Sequence, residues 1–131
     1  MIFYDSHCGL CHRVVRFVIS GDREGDKFRF APLEGETFRS LVGEKDRSTL
    51  PDSLVVQSAD GRLLVRSTAV LHILRRLGGA WKLGARVFGI VPTPLGDGAY
   101  DLIARIRHRL FRRPADACPV VPPELLARFD P

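Results

Sequence analysis

Apolar positions along the chain fall into short runs and helical stripes that follow one another in a definite order. Ile2-Phe3-Tyr4 is an apolar, aromatic run and predicts a strand. Over residues 9–19, Leu10, Val14, Val15, Phe17 and Val18 recur at near-helical spacing, with Arg13 and Arg16 on the other side, which predicts an amphipathic helix. Its β-branched residues lower its intrinsic helix preference, so tertiary packing must hold it. Ser20-Gly21-Asp22 ends that helix, and Gly25-Asp26 marks a loop. Phe28-Arg29-Phe30 alternates and predicts a second strand, stopped by Pro32, and residues 37–42 between Gly35 and Gly43 predict a short helix.

Leu54-Val55-Val56 and Leu63-Leu64-Val65 predict two further strands. Asp60-Gly61 between them is a hairpin signal, because the turn needs residues that tolerate positive φ, so these strands should be antiparallel. Ser67 offers an N-cap for a helix through about Leu77, with Ala69, Val70, Ile73, Leu74 and Leu77 as its buried face and Gly78-Gly79 as its stop. Residues 81–90 and 98–111 predict two more helices, separated by Pro92 and Pro94. In the last, Leu102, Ile103, Ile106 and Leu110 make the apolar face, with Arg105, Arg107, Arg109 and Arg112 around it. The tail from Pro114, with Pro119, Pro122 and Pro123, reads as irregular.

This order predicts an α/β fold whose first strand–helix–strand unit is a parallel crossover. A four-stranded mixed sheet with helices on both faces and a C-terminal helical extension is the thioredoxin-like arrangement. We expect a single domain over residues 1–131, with a core at about 1–79, a helical extension at about 80–113 and an irregular tail at 114–131.

Composition narrows the class. The chain has 131 residues, 45% hydrophobic and 27% charged, which argues for one globular domain and against disorder. No apolar run is long enough to span a bilayer; residues 63–77 are cut by Arg66, His72, Arg75 and Arg76, so no transmembrane segment is expected. The start shows no basic stretch followed by an apolar one, so a signal peptide is not expected and the location should be cytoplasmic. Charge is uneven. Residues 1–61 carry 8 Lys/Arg and 10 Asp/Glu, whereas residues 62–113 carry 11 Lys/Arg against Asp97 and Asp101 alone. That excess reads first as a solvated arginine-rich helical face. Its rival is a non-enzymatic binding module that docks an acidic protein, a membrane surface or nucleic acid through residues 62–113. Nucleic acid is not an expected partner of the favoured reading.

Three cysteines are too few for a disulfide framework, and a reducing compartment would not keep one. Cys8-Gly9-Leu10-Cys11 stands directly after a strand and at the start of a helix. Orphan N–H groups and the positive end of the helix dipole favour a thiolate at the first cysteine. Cys8 should be the exposed nucleophile that attacks a substrate disulfide, and Cys11, one turn on, the thiol that resolves the mixed disulfide. His7 and His12 flank the pair, and a cation there would lower the Cys8 pKa further. Asp5 closes the strand before the turn. It is expected to accept hydrogen bonds from loop amides or to take the proton of Cys11. The competing reading is a zinc site, but structural zinc usually needs a second cysteine pair. Only Cys118 remains, and His7, Cys8, Cys11 and His12 would have to wrap one ion on a short turn. No metal and no cofactor is expected. Cys118, beside Pro119, reads as a bystander thiol.

Asp5-Ser6-His7-Cys8-Gly9-Leu10-Cys11 resembles the Asp-x-x-Cys-x-x-Cys motif of the DCC family of thiol-disulfide oxidoreductases. The resemblance extends through Phe28–Leu33, Asp52–Val56, Asp60-Gly61, Arg66–Ala69, Leu77–Trp81 and Tyr100–Arg105. It implies a thioredoxin-like fold and disulfide exchange with a disulfide or dithiol substrate, its electrons passing to or from an external dithiol system. Three departures stand out. Ser6 replaces the usual Gly after the motif Asp, and Ile106-Arg107-His108 stands where the family tends to Asn-Arg-Tyr. Thioredoxin-like folds also place a cis-proline immediately before the third strand, whereas Asp52-Ser53 separates Pro51 from Leu54.

Overall fold

Strand alternation puts Ile2 and Phe3 on opposite faces of a sheet, and both are fully buried. The computed structural model of the chain describes residues 1–50, 54–110 and 123–131. Strand β1 (Ile2–Tyr4) lies between β2 (Phe30–Pro32), which is parallel to it, and β3 (Val55–Gln57), which is antiparallel. Strand β4 (Leu63–Val65) pairs antiparallel with β3, giving the order β2-β1-β3-β4. On one face Ile2, Phe30 and Val56 pack against Val15 and Val18 of helix α1 (Gly9–Gly21) and Ala69, Ile73 and Leu77 of helix α4 (Arg66–Leu77). On the other, Phe3, Ala31 and Val55 pack against Phe38 of helix α2 (Glu36–Leu41). Helices therefore cover both faces of a mixed four-stranded sheet, and the fold is thioredoxin-like.

Several boundaries differ from the pattern-based expectation. Strand β2 begins at Phe30, two residues late, because the Phe28 amide donates to the Asp22 carboxylate (3.3 Å) instead of a sheet partner. Pro32 ends the strand opposite Tyr4, a terminal position that tolerates a missing N–H. Helix α3 (Glu44–Thr49) was not legible because it buries no residue and so has no apolar stripe. Helix α5 runs over Gly79–Phe88, and α6 (Thr93–Leu110) starts five residues early, with Pro94 in its first turn, where a helix needs no amide from it. Ser67 does not cap α4. The N-cap is Val65, and Asp97 of α6 takes over the task, accepting from the Ser67 amide (3.3 Å) and hydroxyl (2.5 Å). Val70, expected in the buried face of α4, is exposed. Gly78, with φ of +74°, does end α4. Pro51, Phe111 and Cys118 lie outside the described residues.

Residues 123–131 form helix α7 (Pro123–Leu126) and then a strap along the edge strand. The Phe30 amide donates to the Arg128 carbonyl and the Asp130 amide to the Phe30 carbonyl, each at 2.8 Å, so this strap occupies hydrogen-bonding groups a bare edge would expose. Phe129 stacks on Phe30 (5.1 Å). Beneath the strap, buried Arg128 donates to Asp22 Oδ2 (2.5 Å) and to the Phe28 carbonyl. The same carboxylate accepts from the amides of Gly25 (3.2 Å) and Lys27 (3.2 Å). One buried carboxylate thus ties the end of α1, the loop before β2 and the C-terminal strap together.

Removing one member of such a pair strands the other charge in the interior. Asp22→Ala is expected to lower unfolding free energy by about 3–5 kcal/mol in urea titrations. Asp130→Ala, which breaks only the surface pair with Arg29, should cost about 0–1 kcal/mol. Equal, small losses in both variants would contradict this account of the strap.

Candidate functional site

The ladder between β1 and β2 closes with the Leu33 amide donating to the Tyr4 carbonyl (2.9 Å), and the chain then turns sharply. Asp5 organises the turn with both of its acceptors. Its carbonyl accepts from the Cys8 amide (3.2 Å), and its Oδ1 accepts from the His7 amide (2.8 Å). Cys8 is the N-cap of α1, with extended φ and ψ of −97° and 114°. No side-chain oxygen caps α1 and no acidic residue lies in its first turn. The group at the positive end of the helix is therefore the side chain of Cys8.

Cys11, Val15 and Val18 recur at i, i+4 and i+7 and form the buried stripe of α1. Cys11 thus rides on the face that packs into the protein, and its thiol hydrogen-bonds the Cys8 sulfur. That bond is the largest cause of a strongly raised Cys11 pKa. Burial and the charge of Cys8 push the same way, while a hydrogen bond to the backbone of Asp5 works weakly against them and the Asp5 charge adds to the rise. Cys8 itself is only 4% exposed, as is Cys11. This corrects the expectation of an exposed nucleophile: the Cys8 side chain turns toward its buried partner rather than outward.

The flanking histidines bond within the turn and to Glu34. His12 Nε2 donates to the Ser6 carbonyl (2.8 Å), and its ring meets Tyr4 edge-on, so it clips the turn to the helix. His7 is exposed, with Nδ1 3.2 Å from Glu34 Oε1. The Ser6 hydroxyl donates to both Glu34 oxygens at 3.2 Å. Glu34 was not singled out from the sequence, because it lies 28 residues from Ser6 and no local pattern marks it. Among the described residues, the one group of three or more possible metal donors is Asp5, His7 and Glu34, and it contains neither cysteine. The four-ligand arrangement of His7, Cys8, Cys11 and His12 is not formed.

The arrangement can hold two thiols in contact, one at a helix N-terminus and one kept protonated beneath it. A family model described as DCC1-like thiol-disulfide oxidoreductase matches residues 2–113. The uncharacterized protein YuxK of Bacillus subtilis is 32% identical over 131 residues, covering 100% of this chain and 93% of the relative. A chloroplastic DCC family protein of Arabidopsis thaliana is 29% identical over 118 residues, covering 90% of this chain and 67% of the relative. No solved structure gives a significant match. In the described residues, no helix is long and apolar enough to cross a membrane. With a family match over nearly its whole length and a thioredoxin-like sheet beneath its paired thiols, the chain belongs to the DCC1-like thiol-disulfide oxidoreductase family.

Proposed function

We propose that the protein exchanges a Cys8/Cys11 dithiol with a substrate disulfide. The observation that carries this reading is the hydrogen bond from the Cys11 thiol to the Cys8 sulfur at the N-terminus of α1. In it, the Cys8 thiolate attacks one sulfur of the substrate disulfide. A bond forms between Cys8 and that sulfur, the substrate S–S bond breaks, and the other substrate sulfur leaves as thiolate. The Cys11 thiolate then attacks the Cys8 sulfur, the Cys8–substrate bond breaks, the remaining substrate sulfur leaves as thiolate, and the Cys8–Cys11 disulfide remains. An external dithiol returns it to the reduced form, and the reverse sequence oxidises a dithiol.

The causes of the Cys11 shift give this sequence its order. While Cys8 is a thiolate, its hydrogen bond and its charge hold Cys11 protonated. Once Cys8 is tied up in a mixed disulfide, both influences vanish and mainly burial remains. The Cys11 pKa then falls at the stage when Cys11 must attack. In this reading Asp5 supports the pair. It braces the turn through the His7 and Cys8 amides, and its carboxylate is the nearby base proposed to receive the Cys11 proton. The reading includes a reducing, cytoplasmic setting, in which the resting form is the free dithiol.

Burial of Cys8 makes access a separate step. Ser6 and His7 of the reactive turn are held against Glu34 by exposed hydrogen bonds. Exposed contacts of this kind are worth about 1 kcal/mol at most, so releasing Ser6 and His7 from Glu34 costs little, while the Asp5 and His12 hydrogen bonds keep the turn's shape.

Three variants test this reading. Cys8→Ser should reduce turnover of a model disulfide by about a thousandfold or more, while Cys11→Ser should retain its substrate as a mixed disulfide that mass spectrometry identifies through Cys8. Unchanged turnover in Cys8→Ser would overturn the mechanism. Glu34→Ala should speed reaction of the folded protein with an aromatic disulfide reagent by up to about fivefold; a slower reaction would show that Glu34 does not restrain the turn.

A further inference from the structure

Helix α5 carries an apolar stripe that stays exposed among the described residues. Its inner side is anchored by buried Ala85 and by Trp81, whose ring meets Phe17 of α1 edge-on at 4.7 Å. The outer side repeats apolar residues at i, i+4 and i+7: Leu83 is 65% exposed, Val87 61% and Ile90, just past the helix end, 81%. Ile90 is the most exposed large apolar side chain among the described residues. The turn into α6 continues the patch with exposed Phe88, Val91 and Leu95. Behind it, an apolar groove of about 340 Å³ runs between α4 and α6, lined by Val70, Phe88, Val91, Leu95 and Ile103. A contiguous patch of this kind on a small protein marks a surface that meets something apolar.

Charge says what that surface is. Lys82 and Arg86, four residues apart, border the stripe along one side of α5. The Arg75 guanidinium lies 3.5 Å from where a side chain at Gly89 would begin, beside the tip of the patch. Between Asp60 and Asp97 the sequence holds six Lys/Arg and no acidic residue. Asp97 and Asp101 are engaged at the start of α4, by Ser67 and Arg66. An apolar strip on a helix whose only charges are cationic is the pattern of a helix that lies in a membrane interface and meets anionic headgroups. A twofold pairing of this face would instead bring the same cations toward one another across a drying contact.

We propose that the α5 stripe and the turn after it, with Leu83, Val87 and Ile90 inserted and Lys82, Arg86 and Arg75 at the headgroups, dock the protein on an anionic lipid bilayer. The test is cosedimentation of the full chain with vesicles of phosphatidylcholine alone or mixed with phosphatidylglycerol. The protein should pellet with the anionic vesicles and stay in solution with the neutral ones, and about 0.5 M salt should release much of it. Val87→Asp with Ile90→Asp, and separately Lys82→Glu with Arg86→Glu, should each weaken vesicle binding by about tenfold or more. All four positions are exposed, and far-UV circular dichroism and disulfide turnover should match the parent protein. No binding to anionic vesicles, or binding unaffected by both double variants, would overturn the proposal. So would light scattering that shows a dimer which Val87→Asp with Ile90→Asp dissolves, since a second copy would then be the occupant. Loss of thiol exchange in Cys8→Ser with vesicle binding intact would separate this surface from the redox reading.

Discussion

The seating of α1 against the sheet is the constraint on which the site depends. Val15 and Val18 press into the core formed with Ile2 and Phe30, and the stripe they belong to begins at Cys11. Burying that stripe fixes the rotation of the helix, and the rotation puts Cys11 underneath and Cys8 at the N-terminus. The short turn braced by Asp5 then delivers the chain from β1 straight to the helix start. Packing energy is thereby used to aim a helix end at one sulfur, an arrangement that an isolated peptide rich in β-branched residues would not hold.

A second tie secures the far end of the same helix. Asp22, immediately after α1, collects backbone amides from the loop that leads into β2 and the guanidinium of Arg128 from the C-terminal strap. Arg128 also lies over the Phe30 ring (5.5 Å), so charge neutralisation and packing coincide. The edge strand is covered by residues 128–130, and at the opposite end of α1 the Cys8 turn is braced by Asp5 and clipped by His12, with exposed contacts to Glu34 outermost.

Much of this was legible in the sequence because it rests on local signals. The Cys-x-x-Cys spacing after Ile2-Phe3-Tyr4, the Asp60-Gly61 turn and the Gly78 stop each follow from a few neighbouring residues. What escaped notice depends on distant pairs. Glu34 reaches Ser6, Asp97 reaches Ser67, and Arg128 reaches Asp22 across 106 residues. No period or turn rule marks such partners. The displacement of β2 has a nearer cause, since the Phe28 amide is taken by the carboxylate of Asp22, six residues back. Burial of Cys8 was missed for a related reason: spacing puts a residue at a helix start, but the direction of its side chain was settled by the sulfur beneath it.

The proposed exchange rests on an unequal pair of thiols, in which Cys8 gives up its proton first and its charge then holds Cys11 protonated. Thiolate absorbance of the reduced protein, followed as a function of pH, tests this directly. The account predicts one thiolate appearing below the ordinary thiol pKa of about 8.5. It should be absent in Cys8→Ser, and Cys11 should ionise only well above that value. Two sulfurs titrating together as ordinary thiols, or an early thiolate that survives Cys8→Ser, would contradict it.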